Sequence, residues 1–291
     1  MVRVVNGSIV KQHLLVGLAR VWRGLYARPA SAFGASLLVL FVFCALFGSL
    51  LAPYGENEQF GSAARQPPSW EHLFGTDNLG RDVFSRVLLG SWGILSLSGL
   101  GTLLSVGLGA LVGLFSGYRG GWLDELVMRV FDSLLSIPAL LLALVLLGSI
   151  GAGRNNVLIV LVVVYTPIVA RVVRSVVLRV KTRGFVEAAQ TQGEGELDIL
   201  FREILPSVWP ALAVETGLRF SYSIFLIASL GFLGLGVQPP SPDWGLMVKE
   251  ARVNVSQTPW AMAFPAGAIA LLVVGVNLTA DGLKRILRDS R

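Results

Sequence analysis

Six long apolar runs constrain this chain more than any other feature of its sequence. They lie at about residues 32–52, 93–116, 127–150, 157–178, 208–235 and 259–280. Each is long enough, at 1.5 Å per helical residue, to cross the ~30 Å hydrocarbon layer of a bilayer. Charge is correspondingly scarce. Only 14% of the 291 residues are Asp, Glu, Lys or Arg, against about 25% in soluble domains. Apolar residues make up 54%, and the mean hydropathy is +0.68. These values argue against a soluble enzyme, a disordered chain and a secreted disulfide scaffold. The expected fold class is an all-α membrane protein with six transmembrane helices.

Loop charge gives the expected orientation. With the N-terminus inside, the inner segments hold 17 of the 24 Lys and Arg, the outer segments hold six, and Arg219 falls within a span. That bias places both termini in the cytoplasm. It also accounts for the net charge of +6 without nucleic acid, since no basic cluster lies on a soluble module. Trp92, Trp122, Trp209 and Trp260 fall near expected span ends, while Trp70 and Trp244 fall in outer loops. Residues 1–30 read as an uncleaved cytoplasmic leader. Within them, residues 9–26 mix apolar and basic side chains at helical spacing, as either a helix on the inner membrane surface or a loosely ordered tail would. Residues 31–291 form the six-span domain. Cys44, the one cysteine, has no intrachain partner, and His13 and His72 read as solvated or interfacial. No metal-ligand spacing is present.

The inner loop at 182–206 is the most informative segment. A short helix is expected up to Gln192, with Gly193 available for a left-handed stop. Leu197, Leu200, Phe201 and Ile204 follow at helical spacing, and Asp198 and Arg202 form an i,i+4 pair. Pro206 ends that helix or starts the next span. Such a helical hairpin suits either a docking surface for a soluble partner or a plain interfacial linker.

The residues then go further than the pattern. Glu187-Ala188-Ala189, Gly193 and Leu205-Pro206 resemble the EAA loop of ABC importer permeases. The family consensus is EAA, three residues, Gly, nine residues, then I-x-LP. Here Glu203 stands at the Ile position and Ile204 one place later. Residues 75–86 (GTDNLGRDVFSR) resemble the stretch ahead of the family's second span, and 117–125, Asp132, Pro138 and 232–245 also fit. Together they resemble the second permease subunit of the dipeptide/oligopeptide/nickel branch, from about residue 30 to the C-terminus. The resemblance implies a type I importer permease fold. It further implies a homologous second permease, two cytosolic ABC ATPase domains or subunits that use ATP and Mg, and an extracytoplasmic binding protein. The membrane would be the prokaryotic inner membrane. Glu187, Ala188, Ala189, Gly193, Leu197, Leu205 and Pro206 would then couple the spans to the ATPases. The substrate, by resemblance, is a peptide or a similar small solute such as a nickel chelate or a glutathione-like compound.

Glu215 and Arg219 stand four residues apart inside the fifth run, with Ser221 and Tyr222 beyond. Arg219 lies about 20 Å along the helix from Pro206, near mid-membrane. Intramembrane charges are costly and usually face a bundle interior or a wet cavity. These four residues are candidates for the translocation path; the competing reading is an ion pair that tethers helices. Ile227 stands where the family often carries an acidic residue, which weakens transfer of substrate preference. The sequence has no Gly-Lys dipeptide, hence no P-loop, and Leu97-Ser-Gly-Leu-Gly101 lies within a span. No catalytic constellation stands out, so the chain is expected to bind no cofactor and to catalyse nothing itself. The alternative function is a self-sufficient secondary transporter using Glu215 and Arg219, although no inverted repeat is visible.

Overall fold

The computed structural model describes residues 24–289. Most of the leader therefore lies outside the described residues, including nearly all of 9–26. The described residues form long helices: α1 (Pro29–Leu51), α2 (Val83–Arg119), α3 (Gly121–Leu135), α4 (Ala139–Ile150), α5 (Arg154–Val180), α6 (Gly184–Thr191), α7 (Glu196–Leu233), α8 (Trp244–Arg252) and α9 (Pro259–Asp289). Five of them (α1, α2, α5, α7 and α9) are long and apolar enough to cross a membrane. Helices α3 and α4 pass that test together, but they meet at a 93° bend. The run at 127–150 is thus not one straight helix. Pro138 sits at the break with extended backbone, where it lacks the N–H a continuing helix needs.

Helices α2 and α5 form the central pair. Their seam is lined on α2 by Gly101, Gly109, Gly113 and Gly117, one turn or two turns apart. A Cβ at Gly109 would meet Val169 at 2.6 Å, and one at Gly113 would meet the Ala170 carbonyl oxygen at 2.5 Å. In lipid there is little hydrophobic force between helices, so close backbone approach is what holds them. Val160, Leu161, Val169, Val173 and Val177 of α5 are fully buried against this seam and its neighbours. Helix α1 crosses α9 in the same manner, where a Cβ at Gly34 would meet Leu278 Cβ at 2.5 Å. The opposite face of α1, with Phe33, Leu40, Phe43 and Phe47, is exposed and apolar, as a lipid-facing surface must be.

Helix α2 begins at Val83, well before the expected 93. Asp82 caps it by accepting the Ser85 N–H at 2.7 Å. Asp82 also accepts from His72 Nδ1 at 2.9 Å, and His72 is buried against Tyr54 and Phe60. His72 is therefore neither solvated nor interfacial; the apolar ring stack and the carboxylate give it a dry, satisfied place. Arg86 is likewise buried in α2, with its guanidinium donating to the Glu56 carbonyl at 2.8 Å.

Overpacking a helix seam typically costs 1–3 kcal/mol. Gly113→Leu is expected to lower the thermal midpoint in detergent by several degrees. Gly107→Leu, whose Cβ would meet nothing within 4 Å, is expected to leave it unchanged. Equal effects at the two positions would contradict the seam.

Candidate functional site

The 184–206 segment packs as a small platform at one end of the bundle. Helix α6 buries Val186 and Ala189 and leaves Glu187 and Ala188 exposed. Gly193 has φ +78°, the left-handed value that stops α6 and costs a residue with a Cβ 1–2 kcal/mol. The chain then enters α7 at once. Residues Ile199–Ile204 are π-helical, and the helix continues past Pro206, which has no N–H to give the carbonyls of the preceding π-helical turn. Leu200 and Ile204 are buried, while Leu197 and Phe201 are 59% and 42% exposed. The apolar face read from the sequence is thus divided between core and surface.

Polar contacts tie this platform to α2 and α5. Arg119 donates from Nε and Nη2 to both carboxylate oxygens of Glu196, at 2.7 and 2.9 Å. Lys181 donates to the Gly117 carbonyl at 2.9 Å, at the end of α2. Arg174 holds Asp124 with two bonds of 2.6 and 2.5 Å, fixing α3 to α5. Asp198 and Arg202 pair at 3.2 Å on the surface. The sequence pattern missed Arg119, Lys181 and Arg174, because their partners lie on other helices; only the basic clustering around them was visible.

The second constellation sits midway along the α-helical part of α7, Leu205–Leu233. Glu215 and Arg219 approach to 3.2 Å, with side chains 12% and 10% exposed. Neither Glu215 Oε2 nor Arg219 Nε has a hydrogen-bond partner. The Arg219 guanidinium instead lies over two rings, 4.9 Å from the centroid of Tyr222 and 5.6 Å from that of Tyr165. Such cation–π contacts are worth roughly 0.5–2 kcal/mol each. The Tyr165 hydroxyl donates to the Tyr222 carbonyl at 2.9 Å, joining α5 to α7. Ser221 is buried, and Tyr222 is 52% exposed. The structure therefore brings Glu215, Arg219 and Tyr222 together and adds Tyr165. A tyrosine inside the apolar run at 157–178 was the signal available for it.

The far end of α7 is closed by the 234–245 turn. Gly234, in the left-handed conformation, ends the helix. Pro242 and Trp244 then enter between α2 and α7. Trp244 is fully buried, donates from Nε1 to the Val87 carbonyl at 3.0 Å and meets Phe41 edge-on. It does not lie on an outer loop surface, as its sequence context suggests. Asp243 caps α8 by accepting the Leu246 N–H at 2.9 Å. Burial pushes its carboxyl up to about 6, opposed by the N–H groups of Leu246 and Gly245. Nearby, Arg81 pairs with Asp77 and Glu250, each at 2.6 Å. Burial opposes its charge, but the two carboxylates hold the guanidinium above its ordinary value.

Residues 109–290 match the model of the binding-protein-dependent transport system inner membrane component. This chain belongs to that family. Residues 18–68 match the N-terminal transmembrane domain of oligopeptide transport permease C. Among similar proteins is a dipeptide transport system permease of Alkalihalophilus pseudofirmus, 37% identical over 87% of this chain and 84% of that one. A di/tripeptide transport system permease of Pseudomonas aeruginosa is 37% identical over 93% and 91%. A glutathione transport system permease of Escherichia coli O157:H7 is 39% identical over 91% and 88%. A chain of the MetNI methionine ABC transporter, solved in an inward-facing form, shares the fold with a TM-score of 0.58. It is 20% identical and covers 71% of this chain and 96% of that one. The protein is a multi-pass membrane permease subunit of the ABC importer type. The self-sufficient transporter reading finds no support in these relatives.

Asp243 supplies a pH test. Its folded-state value of about 6 lies above the ordinary 3.8. The stability linked to its protonation is therefore complete below about 3.8 and lost as pH rises through about 6. Asp243's contribution to stability in detergent should fall between pH 4 and pH 7, by up to ~3 kcal/mol, read as the difference between the native protein and Asp243→Asn. Asp243→Asn keeps an acceptor for the cap; a difference that does not change with pH would contradict the assignment.

Proposed function

We propose that this chain is one of two homologous six-span permeases around a central path in the prokaryotic cytoplasmic membrane, with both termini cytoplasmic. Two cytosolic ABC ATPase domains, using ATP and Mg, drive the complex, and an extracytoplasmic binding protein delivers substrate. The chain itself catalyses nothing and holds no cofactor. The substrate is a peptide or a similar small solute; the di/tripeptide, dipeptide and glutathione permeases among its relatives support this.

One observation carries the coupling role. The exposed surface of Glu187, Ala188, Leu197 and Phe201 is shared between α6 and the first turns of α7, which continues from there into the span. A partner that grips this surface can move the helix bearing Arg219. Ala189 supports the platform from its buried side, and Gly193, Leu205 and Pro206 set its turn and its junction with α7. ATP-driven closure of the partners then selects between two arrangements of the spans, provided the partners bind those arrangements differently. Glu215, Arg219, Ser221 and Tyr222 line the path within α7.

Pull-down of the tagged chain in mild detergent from its native membrane, with mass spectrometry of what accompanies it, tests the assembly. Recovery of a second permease and P-loop ATPases is the expected result. A chain recovered alone that transports without ATP would overturn it. In the assembled complex, Glu187→Arg and Gly193→Val are each expected to reduce ATP-driven uptake at least tenfold while the two permeases remain together. Unchanged uptake and ATPase recovery in both variants would remove the coupling role from this surface.

A further inference from the structure

The pair at the middle of α7 is made in a way that leaves its members open to exchange. A buried arginine is ordinarily held by aligned hydrogen bonds to a carboxylate, because desolvating both charges is otherwise uncompensated. Here Glu215 Oε2 and Arg219 Nε stand 3.2 Å apart, and both atoms lack a hydrogen-bond partner. The guanidinium plane is held instead by the faces of Tyr165 and Tyr222, which satisfy charge but take none of its N–H groups. Tyr222 is half exposed, so the clamp opens on one side to the surface of α7.

We propose that Glu215 and Arg219 form an exchange site for a zwitterionic solute, in which the solute's carboxylate takes Arg219 and its ammonium takes Glu215. This rests on the reading that α7 lines the path. Three physical points favour it. The clamped guanidinium is already desolvated and oriented, so a ligand carboxylate gains two aligned hydrogen bonds without the cost of ordering the arginine. The resident carboxylate makes a poorly aligned contact, so it is a weak competitor. Charge is conserved only for a ligand that carries both signs. A solute with a carboxylate alone would strand Glu215, and one with an ammonium alone would strand Arg219, each leaving a buried charge unpaired. The ion pair thus acts as a placeholder that keeps the path electrically neutral when empty and admits ligands of zero net charge with separated ends. Nothing covalent changes; two ion pairs replace one.

The test uses the assembled complex in lipid nanodiscs without the binding protein. In a Cys44→Ser background, Tyr222→Cys reports on the space beside Arg219 through its rates with an anionic sulfonatoethyl and a cationic trimethylammonioethyl methanethiosulfonate. After correction for their rates with a free thiol, the anionic reagent is expected to react at least fivefold faster. Arg219→Gln should abolish that preference, and Arg219→Lys should restore part of it. With native Tyr222, bound radiolabelled trialanine should be displaced by unlabelled trialanine but not by its C-terminal amide or its N-acetyl form. Arg219→Gln should weaken trialanine binding at least tenfold. A thiol at 222 that reacts with neither reagent, with or without ATP, would overturn the path reading and the proposal with it. A reactive thiol whose charge preference ignores Arg219 would leave the path standing and overturn the exchange site. Equal competition by the amide and the N-acetyl peptide, or no trialanine binding at all, would overturn the zwitterion assignment.

Discussion

Most of this molecule depends on the continuity of one helix. Helix α7 runs from Glu196 to Leu233 without a turn or a break. At one end its first residues belong to the platform, with Glu196 tied to Arg119 and Leu200 and Ile204 buried against α5 and α6. Midway along its α-helical part, Arg219 lies over the rings of Tyr165 and Tyr222. At the other end Gly234 stops it, and Asp243 and Trp244 fold back along it. The chain stays helical through Pro206 and Pro210, so this one helix physically joins the platform to the middle and the far end. The ladder of hydrogen bonds changes register in the π-helical stretch at Ile199–Ile204, and Pro206 and Pro210 each withhold an N–H from it soon after.

The rest of the bundle packs tightly around that helix. The glycine seam between α2 and α5 is tight, with backbone of one helix against small residues of the other. Tyr165 and the Ser223–Thr102 contact at 3.4 Å connect α7 to this pair through few polar groups. Trp244 wedges between α2 and α7 and couples them at the far end. A rigid pair, a long helix and a limited set of polar links form the kind of arrangement that has discrete alternative packings.

Much of this was legible in the sequence, and the reasons differ by element. Apolar runs mark spans because lipid demands them, so five of six were visible as long helices. The bend between α3 and α4 was not, since the run at 127–150 stays apolar through Pro138 and hydropathy does not record direction. Gly193 was legible as a left-handed stop because its conformation is local. The Asp198–Arg202 and Glu215–Arg219 pairs were legible because i,i+4 spacing alone brings them together. The burial of His72, Arg86 and Trp244 and the pairing of Arg119 with Glu196 were not, because each depends on a segment the sequence cannot bring alongside. Tyr165 belongs with these: its meeting with Arg219 is set by how α5 crosses α7. The glycine seam is intermediate, since the spacing of Gly109 and Gly113 was visible but common in a chain with 33 glycines.

The central claim is that α7 carries motion from the platform to the path as one body. Spin labels at Leu197→Cys and Leu233→Cys, both exposed positions, in a Cys44→Ser background would lie about 50 Å apart along the helix. Pulsed electron–electron distance measurement on the assembled complex, without nucleotide and with ATP trapped, tests this directly. The account predicts an unchanged 197–233 distance, while the distance from 233 to a label at the exposed Leu46 of α1 shifts between states. A 197–233 distance that changes with nucleotide while 233–46 stays fixed would mean that α7 bends within itself and transmits nothing to its far end.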